Sequence, residues 1–284
     1  MILEKILCET CGGQLELPED ASITARCLVC GNTYIVKGSG AQNKKAANAA
    51  LPSQRQTDEK TKCSEQFFYF CNNNKLSEAK NYWNENKSFI DIGFTVLGNT
   101  ALTISAYKGY KEIVKWLIEA GCPLDQRNDA QQTALIRAAI KGDKEIAEIL
   151  LKAGADIDAI DKDNCTALSY AVDSSSSVHK EISFLLLENK ANPNIGFKYG
   201  KPDLIAAIRR KNKPLVEALL NAGADINCTD KDENPAIFIA LIAGGKDILF
   251  LLIEKGADTS VTDKKGETFF ELAARYKILD EVNI

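Results

Sequence analysis

The feature that most constrains this chain is that it repeats itself. Thr100 opens the segment TALTISAYKGYKEIVKWLIEAGCPLDQRNDAQQ, and Thr133 opens TALIRAAIKGDKEIAEILLKAGADIDAIDKDNC. Related segments begin at Thr166, Pro202 and Pro235, and a shortened one begins at Thr268. The start-to-start spacings are 33, 33, 36, 33 and 33 residues. A period of this length means a linear stack of like units, in which each unit touches mainly its neighbours. The one longer spacing places three extra residues in the Ser-rich run Asp173 to His179.

One unit predicts its own local structure. Thr133 stands where a helix N-cap is needed, its hydroxyl able to accept from a free backbone N–H of the first turn. A short apolar helix follows, with Ala138 and Ala139 allowing close approach of neighbours. Gly142 breaks it. A second helix carries Ile146, Ile149 and Leu150 at helical spacing and stops at Gly154, a position suited to left-handed backbone. Asp161-Lys162-Asp163-Asn164 then forms a polar turn. Alone, such a unit cannot bury its apolar side; stacked, it can.

These motifs resemble the ankyrin repeat, with its T-P-L-H-x-A opening, central Gly, Leu-Leu pair and Gly-Ala-Asp close. The resemblance covers residues 65–284. It implies a mainly α solenoid of a degenerate N-terminal repeat (Glu65 to Gly98), five full units, and a C-terminal capping unit from Thr268. No unit has the His, and the third carries Asn189-Lys190-Ala191-Asn192 in place of Gly-Ala-Asp.

Ahead of the repeats lie two further parts. Residues 38–64 are rich in Gly, Ala, Ser, Asn, Gln and Lys, with almost no large apolar residue. That composition predicts a flexible linker. Residues 1–37 hold Cys8-x-x-Cys11-Gly and Cys27-x-x-Cys30-Gly, a spacing suited to four thiolates around one tetrahedral zinc. The flanking QLEL and TYIV alternate as short strands do, and the whole resembles a small β zinc ribbon. A four-cysteine site is closed, so the expected Zn2+ is structural and single. About 37 residues carry too little core to fold unaided, and metal binding can supply the missing stability. An iron site, a redox dithiol pair and cysteines with no metal are the alternatives, although a thioredoxin-like motif needs a βαβ context that this segment is too short to provide.

Composition narrows the function. The chain of 284 residues has a net charge of −4, with nine cysteines and one histidine. Residues 1–37 carry three basic and five acidic side chains, and residues 38–64 five basic and two acidic. No segment has the dense positive charge of non-specific nucleic-acid binding. No apolar run is long enough to span a bilayer, and MILEKILCET lacks the pattern of a signal peptide. The expectation is a cytoplasmic monomer with reduced thiols. His179 lies in DSSSSVHKE and is read as part of a solvated inserted loop; no nucleophile, phosphate loop or calcium loop accompanies it. The chain is expected not to be an enzyme.

In ankyrin stacks the inner helices and turns line a concave face where protein partners commonly bind. With the units in register, the residues after the inner-helix alanine pair vary. They are Tyr107 and Lys108, Ile140 and Lys141, Asp173 and Ser174, Arg209 and Arg210, Ile242 and Ala243, then Arg275 and Tyr276. Aromatic and Arg side chains are the types enriched at interface anchors. The strip therefore predicts a partner-binding surface for a protein segment of acidic character. Arg127, Lys162, Lys198, Tyr199, Lys231 and Lys264 would form its rim. Function reads as an interaction scaffold with the ribbon as second contact. The alternative is a nucleic-acid-associated factor that uses the ribbon.

Overall fold

The computed structural model describes residues 15–16, 24–27, 33–35, 52–196 and 200–278. The chain divides into two units, Met1–Gln54 and Arg55–Ile284. In the first, strands β1 (Leu15–Glu16), β2 (Thr24–Cys27) and β3 (Thr33–Ile35) form an antiparallel sheet in that order. Leu15 is in register with Cys27, and Thr24 with Ile35. Among the four clustered cysteines only Cys27 lies in the described residues; Cys8, Cys11 and Cys30 lie outside them.

The expectation of a flexible linker over 38–64 is corrected in its second half. Helix α1 runs Pro52–Asn72 without a break. Packing explains this where composition could not. Phe67, Phe68 and Cys71 are buried along α1. Ser64 is buried too; its hydroxyl donates to the Lys60 carbonyl (2.8 Å) and accepts from the Asp91 amide (2.9 Å). Tertiary contacts thus hold a segment whose own propensity is unremarkable. Helix α2 (Leu76–Asn86) completes the degenerate first pair. The Phe67 ring lies 5.5 Å from Trp83 and 5.9 Å from Trp116, bonding that pair to the next.

Five helix pairs follow: α3 (Ala101–Lys108) with α4 (Lys111–Glu119), α5 (Ala134–Lys141) with α6 (Lys144–Lys152), and α7 (Ala167–Val172) with α8 (Ser177–Glu188). Then come α9 (Asp203–Arg209) with α10 (Lys213–Asn221), and α11 (Ala236–Ile239) with α12 (Lys246–Glu254). Helix α13 (Phe269–Arg275) follows them. Inner helices pack on inner helices and outer on outer, so the core is one continuous apolar layer.

Threonine caps start four of the inner helices as anticipated. Thr100, Thr133, Thr166 and Thr268 each accept from the amide three residues on, at 3.1, 3.4, 3.2 and 3.3 Å. The outer helices end at left-handed positions such as Gly154 (φ +92°). In the third unit that position falls to Lys190, held at φ +68°.

The three extra residues lengthen α8 at its N-terminus, so the expected solvated loop at His179 is helix instead. His179 Nε2 lies 3.3 Å from the Ile140 carbonyl at the end of α5, and its ring sits against Gly142. A side chain added at Gly142 would collide with it. One inner helix departs from the rest. Helix α11 runs on as a π-helical turn, Ala240–Gly244, and Gly245 follows at φ +86°, ψ +156°, backbone that only glycine adopts readily.

Candidate protein-binding surface

Four of the turns between units are each folded by one acceptor side chain. Asn128, Asp161, Asp230 and Asp263 each accept two backbone amides through one oxygen, at 2.8–3.0 Å. The dense acids at Asp156 to Asp163 and Asp225 to Asp232 are therefore turn residues. A second, unforeseen ladder crosses the units: Asp125, Asp158, Asn194 and Asn227 accept from the amides of Asp156, Asn192, Asp225 and Asp258 at 2.9, 2.9, 2.9 and 3.0 Å.

Above these turns lies the predicted strip, at the ends of α3, α5, α7, α9, α11 and α13. Tyr107 is exposed at 38 %, and the Arg137 guanidinium sits 3.7 Å above its ring. Lys108 Nζ donates to the Asn72 carbonyl at 2.9 Å. Ile140 is half-buried and Lys141 exposed. Ser174 is half-buried. Ile242, on the π-helical turn, is 56 % exposed, and Tyr276 is 44 % exposed. Ile242, Ala243, Tyr276, Phe238 and Leu272 line a recess of about 290 Å³, with Arg209 and Arg275 at its edge.

The strip's arginines are not free cations, contrary to what their sequence positions suggest. Arg209 pairs with Asp230 at 2.7 Å and Arg210 with Asp173 at 2.9 Å, while Arg275 pairs with Glu267. Each is held by an acid from a neighbouring unit or turn, which spacing alone does not disclose. Of the rim, Arg127 donates to the Ile160 carbonyl, and Lys162, Lys231 and Lys264 are exposed. Lys198 and Tyr199 lie outside the described residues.

Sequence reading missed Arg137, five positions into its unit, because Ile, Tyr, Ala, Ile and Leu occupy the equivalent place elsewhere. Arg137 donates to Gln132 Oε1 (3.2 Å), and Gln132 Nε2 donates to Asp161 Oδ2 (3.2 Å), which also accepts from the Tyr170 hydroxyl (2.7 Å). Burial lowers the pKa of the Arg137 guanidinium. The Asp161 carboxyl is raised by burial but pulled below its ordinary value by Tyr170 and the Cys165 amide, so it stays ionised.

Asp203 was also missed. It occupies a site that is Ala in the other full units and is 2 % exposed, with Oδ2 unpartnered. Burial pushes its carboxyl up to about 8, against a hydrogen bond from Ser169 and with repulsion from Asp173. The buried thiols of Cys71 and Cys122 are pushed up to about 12 by burial, which makes them unreactive packing groups. Among the described residues no cluster of three or more His, Cys, Asp or Glu is placed to hold a metal, and no helix is long and apolar enough to cross a membrane.

Comparison with known proteins agrees with this architecture. No curated protein matches the chain. Among solved structures, the ankyrin repeat domain of Bcl-3, described as a unique member of the IkappaB protein family, superposes with a TM-score of 0.65. The two share 22 % identity, over 75 % of this chain and 96 % of that one, so the likeness is one of fold. A family model for ankyrin repeats, three copies, matches residues 41–161, 102–196 and 204–284. With most of its length covered by that match, the chain belongs to the ankyrin-repeat family.

Proposed function

We propose that this protein is a non-enzymatic interaction scaffold that holds a protein partner on its inner-helix face. One observation carries the reading: three large side chains, Tyr107, Ile242 and Tyr276, stand exposed along helix ends where water favours polar residues, two of them beside a recess. Exposed aromatic anchors beside a preformed hollow suit protein recognition. Members of the family commonly use this face in the same way, and ankyrin proteins are generally scaffolds and not catalysts. The internally neutralised arginines and the negative net charge weigh against nucleic acid as the ligand.

The N-terminal cysteines complete the proposal as a structural zinc site formed by Cys8, Cys11, Cys27 and Cys30, serving a second contact module. Its support is the double C-x-x-C spacing, together with the β1–β2 register, which returns the chain that follows Cys11 alongside Cys27. Thiolate ligands match the softness of zinc, which would cross-link a segment with little core. The free thiols of the repeat unit suit a reducing compartment, and we place the protein in the cytoplasm.

The test is a photo-crosslinking amino acid placed in the full chain at Ile242, or at Lys115 on the outer helix α4. Cross-links to one protein from position 242 and none from 115 support the reading. Equal cross-linking from both, or capture abolished by nuclease, overturns it.

A further inference from the structure

The basic side chains along the inner-helix face sort into two groups. Arg209, Arg210 and Arg275 each have a carboxylate within the stack. Among the described residues, Arg137, Lys108 and Lys141 have none. Arg137 makes only neutral contacts, to Gln132 and the Tyr107 ring, and its Nε is buried without a partner. Lys108 donates to a backbone carbonyl, and Lys141 is exposed with no ionic partner among the described residues. All three lie on α3 and α5, neighbours in the inner row.

We propose that these two helices form the docking site for a carboxylate-bearing segment of the protein partner, with Arg137 as its anchor. This rests on the inner-helix face being the protein-binding surface and names the chemistry it selects. The placement narrows the strip that the sequence predicts and leaves out Arg209 and Arg210, because those charges are already spent on Asp230 and Asp173.

The geometry around Arg137 suits the role. Its guanidinium lies on the Tyr107 ring, and Gln132 holds one edge, so little side-chain freedom remains to be lost on binding. Gln132 also separates it from Asp161, whose Oδ2 is taken by Tyr170 and Gln132 itself. A neutral amide thus stands where an ion pair would have cancelled the charge. A partner Asp or Glu laid against the guanidinium gains a charge-assisted hydrogen bond in a half-desolvated setting, while Lys108 and Lys141 flank it. Three uncompensated charges match a short acidic peptide. They are too few to grip a phosphate backbone on a chain of net charge −4.

The experiment uses the full chain and two synthetic twelve-residue peptides, one alternating Glu with Ser and the other Gln with Ser. Binding is followed by NMR, reading the Arg Nε–Hε signals and backbone amides. The expected result is that the Glu peptide shifts the Arg137 Nε signal and the amides of Tyr107 and Lys141. Arg137→Gln should weaken binding about tenfold or more, roughly 1.4 kcal/mol. Arg137→Lys should recover part of it, and Arg210→Gln should change it less than twofold. An unchanged backbone spectrum away from the site establishes that each variant is folded.

Equal binding of the Gln peptide, no response at Arg137, or equal sensitivity to Arg137→Gln and Arg210→Gln overturns the proposal. Tighter binding of single-stranded DNA than of the Glu peptide also overturns it. If the peptide result fails while cross-linking from position 242 persists, this inference alone falls. If both fail, so does the reading of the face.

Discussion

Arg209 and Asp230 join α9 to the turn that leads into α11, with Nη2 and Oδ2 2.7 Å apart. The carboxylate performs two tasks at once: its Oδ1 accepts the Asp232 and Asn234 amides, while its Oδ2 takes the arginine. Burial raises this carboxyl, yet Asn234, Asp232 and Arg209 together outweigh burial and hold it below the usual range. Removing the side chain therefore orphans two amides and a guanidinium. Asp230→Ala should cost about 3 kcal/mol in urea unfolding, and Arg209→Ala about 1 kcal/mol, since the arginine is partly solvated. Because the folded pKa is depressed, the stabilisation is full above the unfolded carboxylate pKa and is lost as pH falls through the folded value. The difference between wild type and Asp230→Ala should narrow in acid.

Asp203 has the opposite sign. Its folded carboxyl, at about 8, lies above the unfolded value, so folding retains a proton that the unfolded chain releases. Stability should fall as pH rises from about 4 towards 8. Asp203→Ala, which installs the residue found at this place in the other full units, should stabilise the protein by about 1–3 kcal/mol at pH 8. Near pH 4 the gain should largely vanish. Thermal unfolding of both proteins across this range checks the sign; a gain independent of pH refutes it.

Lys190 occupies the left-handed helix-end position that glycine holds at Gly154, Gly223 and Gly256. A residue with a Cβ is strained there by roughly 1 kcal/mol. Lys190→Gly should raise stability by up to that amount, less the added entropy of the unfolded chain. A loss of stability on denaturant titration would mean that the lysine stem contributes packing exceeding the strain.

Purified under reducing conditions, the full chain should carry one zinc by elemental analysis. Cys27→Ser should reduce bound zinc several-fold, while the repeat unit keeps its unfolding midpoint. Iron in place of zinc, or a full metal complement in the variant, contradicts a four-thiolate zinc site.

The repeat helix pairs were legible because their code is local: a threonine cap or a proline at the start, an apolar stripe and, in all but the third unit, a terminal glycine. Turn acids such as Asp161 were legible for the same reason: their acceptors bind amides two and four residues on. What escaped was anything decided across units. Residues 52–64 read as linker because Ser64 meets Asp91 only after folding. Arg209 and Arg210 read as open charges because Asp230 and Asp173, their acids, lie 21 and 37 residues away. Asp203 went unremarked because nothing in its own unit shows that the stack buries that position.

The ladder of Asp125, Asp158, Asn194 and Asn227 has a direction: the earlier unit always supplies the side-chain oxygen, the later unit the amide. Because aspartate and asparagine serve alike, the rule specifies an oxygen and not a charge. It also takes no account of which unit is involved. A whole unit could be copied into the row or cut from it, and each rung would still meet a complement, whereas a gain or loss of a few residues within the turn would leave a rung facing nothing. The third unit obeys this grammar, since its surplus went into α8 and left the rung at Asp158 intact. Chain length in such a molecule is therefore free to change in whole-unit steps, and variation finer than a step is confined to the outer helices.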